Sequence, residues 1–247
     1  MRVRALTTGA VRQKAGGPGI GHYVHDRWRE DALPVHAYLV EHPDCLVLFD
    51  TGQTARAASS AWFPRWHPFF RLSRFELGAD DEAPHLMRSA GVDPVSVRFV
   101  VLSHLHTDHV GTVSAFRGST VVVGRLEWER ATGLRGALRG YLPQRWPADV
   151  TPTLVEPAGE PIGPFPASHD LLGDGRLRVV PTPGHTPGHL ALLVRGESRS
   201  WLLAGDLAHT AADLPAAAPA VADWCRREHV LVLTSHDPAA TGHDEAG

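Results

Sequence analysis

The sequence predicts an α/β (α+β) protein, and three observations carry that expectation. Apolar runs of strand length recur from one end of the chain to the other. Stretches with helical character lie between several of them, one stopped by Gly91. Four of the apolar runs stop just short of a residue able to bind metal: His104, His185, Asp206 and His236. Strand ends on one edge of a sheet lie close in space, so ligands far apart in sequence converge there. Chemistry carried on loops that a rigid sheet holds in place is the general arrangement.

The elements follow in order. Met1–Thr8 is a first strand, and Ala15–Gly21 a glycine-rich loop. A phosphate cradle would need a strand and a GxxxxGK helix start around that loop, and neither is there. Val35–Val40 and Cys45–Phe49 flank His42-Pro43-Asp44 as a β-hairpin. The second strand runs into the turn Asp50-Thr51-Gly52. Ala55–Gly91 is irregular helix crowded with Trp62, Phe63, Trp66, Phe69, Phe70 and Phe75, and Glu82–Ala90 is its regular part. The aromatic cluster suits an acyl-chain wall, a dimer face or plain core. Val97–Leu102 is the central buried strand, and His104-Leu105-His106-Thr107-Asp108-His109 is the ligand-dense loop at its end. Ser119–Val123 is a strand and Leu126–Thr132 a helix; Gly133–Pro147 is a Gly/Arg-rich excursion, or a lid, containing Tyr141. Leu177–Pro181, Leu190–Val194, Trp201–Ala204 and Val230–Leu233 are further strands. Ala211–Ala222 is a loop feeding a short helix, and the chain after His236 is frayed.

Composition narrows the function classes. A single domain over residues 1–247 is long enough to bury a core without staples. The net charge of −3, with both signs interspersed, gives no basic stripe for nucleic acid. No apolar run reaches the ~20 residues that span a bilayer, and no signal core opens the chain, so a cytoplasmic protein is expected. Cys45 and Cys225 make neither a disulfide framework nor a zinc ribbon; Cys45 reads as core. Against this background, 16 His is an excess that a metal site would explain.

The ligand types point to two cations. His104, His106 and His185 suit one metal that keeps an open position for water. Asp108, His109 and His236 suit a second, and Asp206 can give one oxygen to each. Dications about 3.5–4 Å apart repel, and a bridging carboxylate and hydroxide offset that. Two dications against Asp108, Asp206 and one hydroxide leave about +1, suited to a developing oxyanion. Water ionised near pH ~7 is then available as a nucleophile. Zinc is the default pair of ions; histidine and carboxylate ligands without Cys also suit Fe, Mn or Co.

HLHTDH, with Gly184-His185, Gly205-Asp206 and Ser235-His236, resembles the metallo-β-lactamase superfamily, from the Phe49-Asp50-Thr51-Gly52 turn to His236. The resemblance implies a four-layer αβ/βα sandwich, two mixed β-sheets flanked by helices, with metals at one edge. It implies that Asp50 hydrogen-bonds a ligand histidine. Within the superfamily the chain is most similar to the N-acyl homoserine lactonases, through Asp170–Gly175, VVPTPGHTPGH, the LFDTG turn and Leu126-Glu127-Trp128. That implies lactone opening by a metal-bridging hydroxide, with Asp108 passing the proton to the leaving alkoxide. The substrate would be a small ester or lactone, with no nucleic acid, no membrane span and a homodimer as one option.

Two positions depart from the lactonase pattern. His209 stands where a tyrosine contacts the substrate carbonyl, and an imidazole can donate there instead. Thr107 stands where a bulky aromatic is common. Thr107 and Tyr141 are expected to line the substrate pocket. The rivals are a thioesterase, an aryl- or phosphoesterase, a β-lactam hydrolase, or a non-enzymatic metal-binding module. Asp206 argues against a true β-lactamase, whose relevant subgroups put Cys or Ser there. A glyoxalase II would carry a helical extension, and eleven residues follow His236. His189 and the remaining histidines read as structural or surface residues, and Arg125, Arg130, Arg135 and Arg139 as solvated.

Overall fold

In the computed structural model, described for residues 1–14, 27–63, 72–133 and 135–243, twelve strands form two mixed sheets. The strands are β1 (Arg2–Gln13), β2 (Leu33–His42), β3 (Cys45–Phe49), β4 (Ser73–Glu76), β5 (Val97–Val101), β6 (Thr120–Gly124) and β7 (Thr153–Val155). After these come β8 (His169–Asp170), β9 (Leu177–Pro181), β10 (Leu190–Arg195), β11 (Ser200–Gly205) and β12 (Val230–Thr234). The first sheet has the order β4-β1-β2-β3-β5-β6-β7 and the second β12-β11-β10-β9-β8. β3, β5, β6 and β7 run parallel, as do β11 and β12; the other pairs are antiparallel.

Strand alternation builds the layers. Tyr38, Val40, Val47, Phe49, Val101 and Val122 point inward from the first sheet, and Leu190, Leu192, Val194, Trp201 and Leu203 point inward from the second. The alternate residues are apolar as well. Leu39, Leu48, Val100 and Val123 pack outward with Met87 and Ala131. Ala191, Leu193 and Leu202 pack outward with Cys225. A sheet buried on both faces reads as a continuous apolar run, which is why these strands stand out in the sequence. The helices over the outer faces include α1 (Ala83–Ser89) and α3 (Arg125–Thr132) on the first sheet, and α5 (Pro219–Arg227) on the second. This is the expected four-layer sandwich.

Several local expectations are corrected. β1 continues to Gln13, past a register shift between Thr7 and Ala10, and there pairs with β4. β4 lies inside the stretch expected to be helical. Its exposed Arg74 and Glu76 alternate with buried Ser73 and Phe75, the pattern of an edge strand. Of the aromatic cluster, Phe63 and Phe75 are core residues, with ring centroids 6.2 Å apart; Trp66, Phe69 and Phe70 lie outside the described residues, as does the 15–21 loop. Ala211–Ala222 is mostly helical, with a 3-10 turn, then α4 (Leu214–Ala217) and α5. Residues 237–243 are not frayed. The Asp237 carboxylate accepts the Ala211 N–H at 2.9 Å, and Ala240 is buried against the inter-sheet core. Among the described residues no helix is long and apolar enough to cross a membrane.

Candidate metal centre

Five strand ends meet at one edge. β3 leads to Asp50, β5 to His104, β9 to His185, β11 to Asp206 and β12 to His236. The two sheets are tied together there. Leu190 N–H donates to the Ser103 carbonyl at 2.8 Å, and His36 N–H to the Ser235 carbonyl at 2.9 Å. The Tyr38 hydroxyl donates to the Thr234 carbonyl. Thr107–Val110, expected as loop, is a single helical turn, α2, with His106 at its N-cap. The Asp50-Thr51-Gly52 turn grips it: Thr51 N–H donates to the His109 carbonyl at 2.7 Å, and Gly111 N–H to the Gly52 carbonyl at 2.8 Å.

The seven expected ligands come together in two groups. His106 Nδ1 lies 3.0 Å from both His104 Nε2 and His185 Nε2. Opposite them, Asp108 Oδ1 is 3.9 Å from His109 Nε2, and Asp108 Oδ2 is 3.8 Å from His236 Nε2. Asp206 stands between the groups. Its Oδ2 is 3.5 Å from His185 Nε2 and 3.9 Å from His104 Nε2. Its Oδ1 is 3.4 Å from both His109 Nε2 and His236 Nε2.

The outward nitrogens set the tautomers. His106 Nε2 contacts the Arg139 carbonyl at 3.1 Å, His109 Nδ1 the Asp50 carboxylate at 2.8 Å, and His236 Nδ1 the Pro34 carbonyl at 2.8 Å. Those oxygens only accept, so each ring puts an N–H outward and turns its other nitrogen to the centre. Ser103 Oγ donates to Asp50 Oδ2 at 2.8 Å and accepts from His104 Nδ1 at 3.0 Å, which orients the fourth ring. His109 Nε2 and Asp206 Oδ1 are buried without hydrogen-bond partners. Each such orphan costs about 1–3 kcal/mol, and a cation beside Asp206 would satisfy both. Converging imidazole nitrogens around a carboxylate, with no thiolate, fit divalent metal ions.

Electrostatics divide the same way. Burial pushes the His104 pKa well down, and the charges of His109 and His106 add to that. Burial also disfavours charge on His109 and His236. The carboxylates outweigh it, Asp206 foremost, holding His109 well above and His236 above the ordinary value. The position beside Asp108 and Asp206 thus attracts cations.

Two supporting residues are sharpened by the geometry. Asp50 has a left-handed φ of 58° and is fully buried, with its oxygens taking Ser103 N–H at 2.7 Å as well as the Ser103 hydroxyl and His109. Asp50→Ala is expected to weaken cation binding about 10–100-fold, the usual cost of losing an outer partner of a ligand histidine; competition with a chromophoric chelator measures it. His189 accepts the Asp206 N–H on Nε2 at 3.1 Å and donates from Nδ1 to Thr182 Oγ1 at 2.8 Å. Burial pushes its pKa down to about 3, so it is a neutral prop for Asp206. Gly205 makes room for it. With φ at 54°, a Cβ there would sit 2.7 Å from His189 Nε2.

The expected pocket residues are divided. Thr107 and Tyr141 line a cavity of about 570 Å³ with Leu105, Trp62, Trp128 and Trp146. The Thr107 hydroxyl donates to Gln53 Oε1 at 3.3 Å, and the buried Tyr141 ring packs on His106 with centroids 5.1 Å apart. His209 is on the other side of the centre, exposed, its ring 6.3 Å from that of His236. Within Gly133–Pro147, Tyr141 is buried and the Arg139 carbonyl contacts His106, so these two residues reach the centre from a stretch that is otherwise mostly exposed or half-buried. Sequence reasoning missed that carbonyl, because a backbone acceptor has no residue type. It also missed Glu127 as a buried acid.

A family model described as the metallo-beta-lactamase superfamily matches residues 31–238. The N-acyl homoserine lactonase AttM of Rhizobium johnstonii is 33% identical over 227 residues, covering 84% of this chain and 83% of its own. The N-acyl homoserine lactonase AiiB of Agrobacterium fabrum is 32% identical over 187 residues, covering 72% and 64%. Among solved structures, an N-acyl homoserine lactone hydrolase with the product N-hexanoyl-L-homoserine at its catalytic metal center superposes with a TM-score of 0.77. It is 20% identical and covers 99% of this chain and 96% of its own. The dizinc quorum-quenching lactonase AidC superposes with a TM-score of 0.59 at 15% identity, covering 96% and 87%. The chain belongs to the metallo-β-lactamase superfamily.

Proposed function

We propose that this protein is a dinuclear metal-dependent hydrolase that opens the ring of an N-acyl homoserine lactone or a closely related lactone, with zinc as its ordinary metal. The observation that carries the dinuclear reading is Asp206, whose two oxygens face two separate ligand groups. His104, His106 and His185 would hold one cation and Asp108, His109 and His236 the other, with Asp206 available to both. When bound, the pair supplies Lewis acidity toward the carbonyl and a water acidic enough to attack near neutral pH.

The remaining chemistry belongs to the side chains. The Asp108 carboxylate is almost wholly buried beside His109 and His236. It takes the proton of the attacking water and returns it to the ring oxygen as the alkoxide leaves. His209, exposed beside His236, presents an imidazole donor to the substrate carbonyl. The substrate class rests on the lactonase relatives, since the same ligand set also suits a thioesterase.

Purified protein loaded with zinc, manganese or cobalt tests this against short- and long-chain acyl homoserine lactones, S-acyl thioesters and nitrocefin. Lactone opening should exceed the others in kcat/KM. Metal-loaded protein that hydrolyses thioester or nitrocefin and leaves every lactone intact would overturn the reading.

A further inference from the structure

Glu127 is out of place for an ordinary helix residue. It lies in the first turn of α3 yet is fully buried. One carboxylate oxygen accepts the Leu105 N–H at 3.1 Å, and the other is buried without a hydrogen-bond partner. An acid in such a place is costly unless compensated. Leu105 lies between His104 and His106, so the Leu105 bond acts directly on the loop that carries two of the ligands.

Two neighbours extend the grip. Tyr141 packs its ring on His106. Burial and then the charge of Glu127 push the Tyr141 pKa up, while the Thr186 hydroxyl works the other way. The phenol therefore feels both Glu127 and the residue that follows His185. The backbone makes the second contact: a Cβ on Gly188 would fall 2.1 Å from Glu127 N, so the turn after His185 rests on the start of α3. Glu127 is thus wedged between the two loops that bring His104, His106 and His185 together.

We propose that Glu127 is a positioning residue for the cation held by His104, His106 and His185. It fixes the spacing of the two loops and supplies buried negative charge behind that position. The inference rests on the two-cation reading above. It concerns one position only, since the residues that orient His109 and His236 are Asp50 and Pro34.

Glu127→Gln keeps the shape and an acceptor for Leu105 while removing the charge. The measurements are zinc stoichiometry and dissociation constants by chelator competition, with anomalous scattering at the zinc edge to identify the depleted position. E127Q should bind the cation of the His104/His106/His185 position about 10–100-fold more weakly. Its melting midpoint in excess chelator should stay within about 4 °C of wild type. Tyr141→Phe leaves the Leu105 bond intact and should loosen the same position by a smaller factor; it carries the test should E127Q not fold. Wild type and variant both holding two zincs with equal constants would overturn the proposal alone. Wild type holding fewer than two under the same conditions would overturn the two-cation reading and this proposal with it.

Discussion

His106→Ala is expected to lower kcat/KM toward the lactone by about 10³-fold or more, since it removes several kcal/mol of metal-borne charge stabilisation. His106 is the middle ligand of its group, 3.0 Å from both His104 Nε2 and His185 Nε2. Alanine takes away one of the three imidazoles and leaves that cation two nitrogens and the shared Asp206 oxygen, so it is held much less tightly. The fold should tolerate the change, because His106 is half-buried and, apart from its two neighbouring ligands, touches the Arg139 carbonyl and the Tyr141 face. The variant should keep its far-ultraviolet circular dichroism and lose zinc on dialysis, counted by plasma mass spectrometry. Full activity from H106A protein free of every divalent metal would refute a metal-dependent reaction.

The ligands were legible because each is a charged or imidazole side chain interrupting or ending an apolar run. Such residues have few structural reasons to stand at a buried strand's end, so their type alone exposes them. Asp50 was legible only through the family pattern; its left-handed turn and its three hydrogen bonds are tertiary facts. The sandwich was legible for the converse reason, because both faces of β3, β5, β6, β10 and β11 are apolar. What stayed hidden depends on pairing. β4 is four residues of mixed polarity that become a strand only because β1 shifts register and offers them an edge. Glu127 reads as a surface helix acid, and only the approach of Gly188 and Leu105 encloses it.

Asp206→Asn should separate the two cations thermodynamically. Asparagine has nearly the volume of aspartate and keeps one carbonyl oxygen, so it can still face one ligand group. It cannot bridge as an anion, and its amide nitrogen meets the imidazole nitrogens of the other group. D206N should therefore retain at most one tightly bound zinc per chain. A cation present at 100 times its dissociation constant stabilises the folded state by about 2.7 kcal/mol. With two such positions filled in wild type and one in the variant, the zinc-dependent gain in unfolding free energy should fall by about half. Urea melts with and without zinc measure that gain, and the comparison is internal to each protein, so any cost of the substitution itself cancels. Turnover should fall by about 10³-fold, in line with losing one of two clamps on the reacting oxygens. Two zincs bound with unaltered affinity would mean that Asp206 does not bridge. The two ligand groups would then be independent sites, and the shared-carboxylate geometry at the end of β11 would have no catalytic meaning.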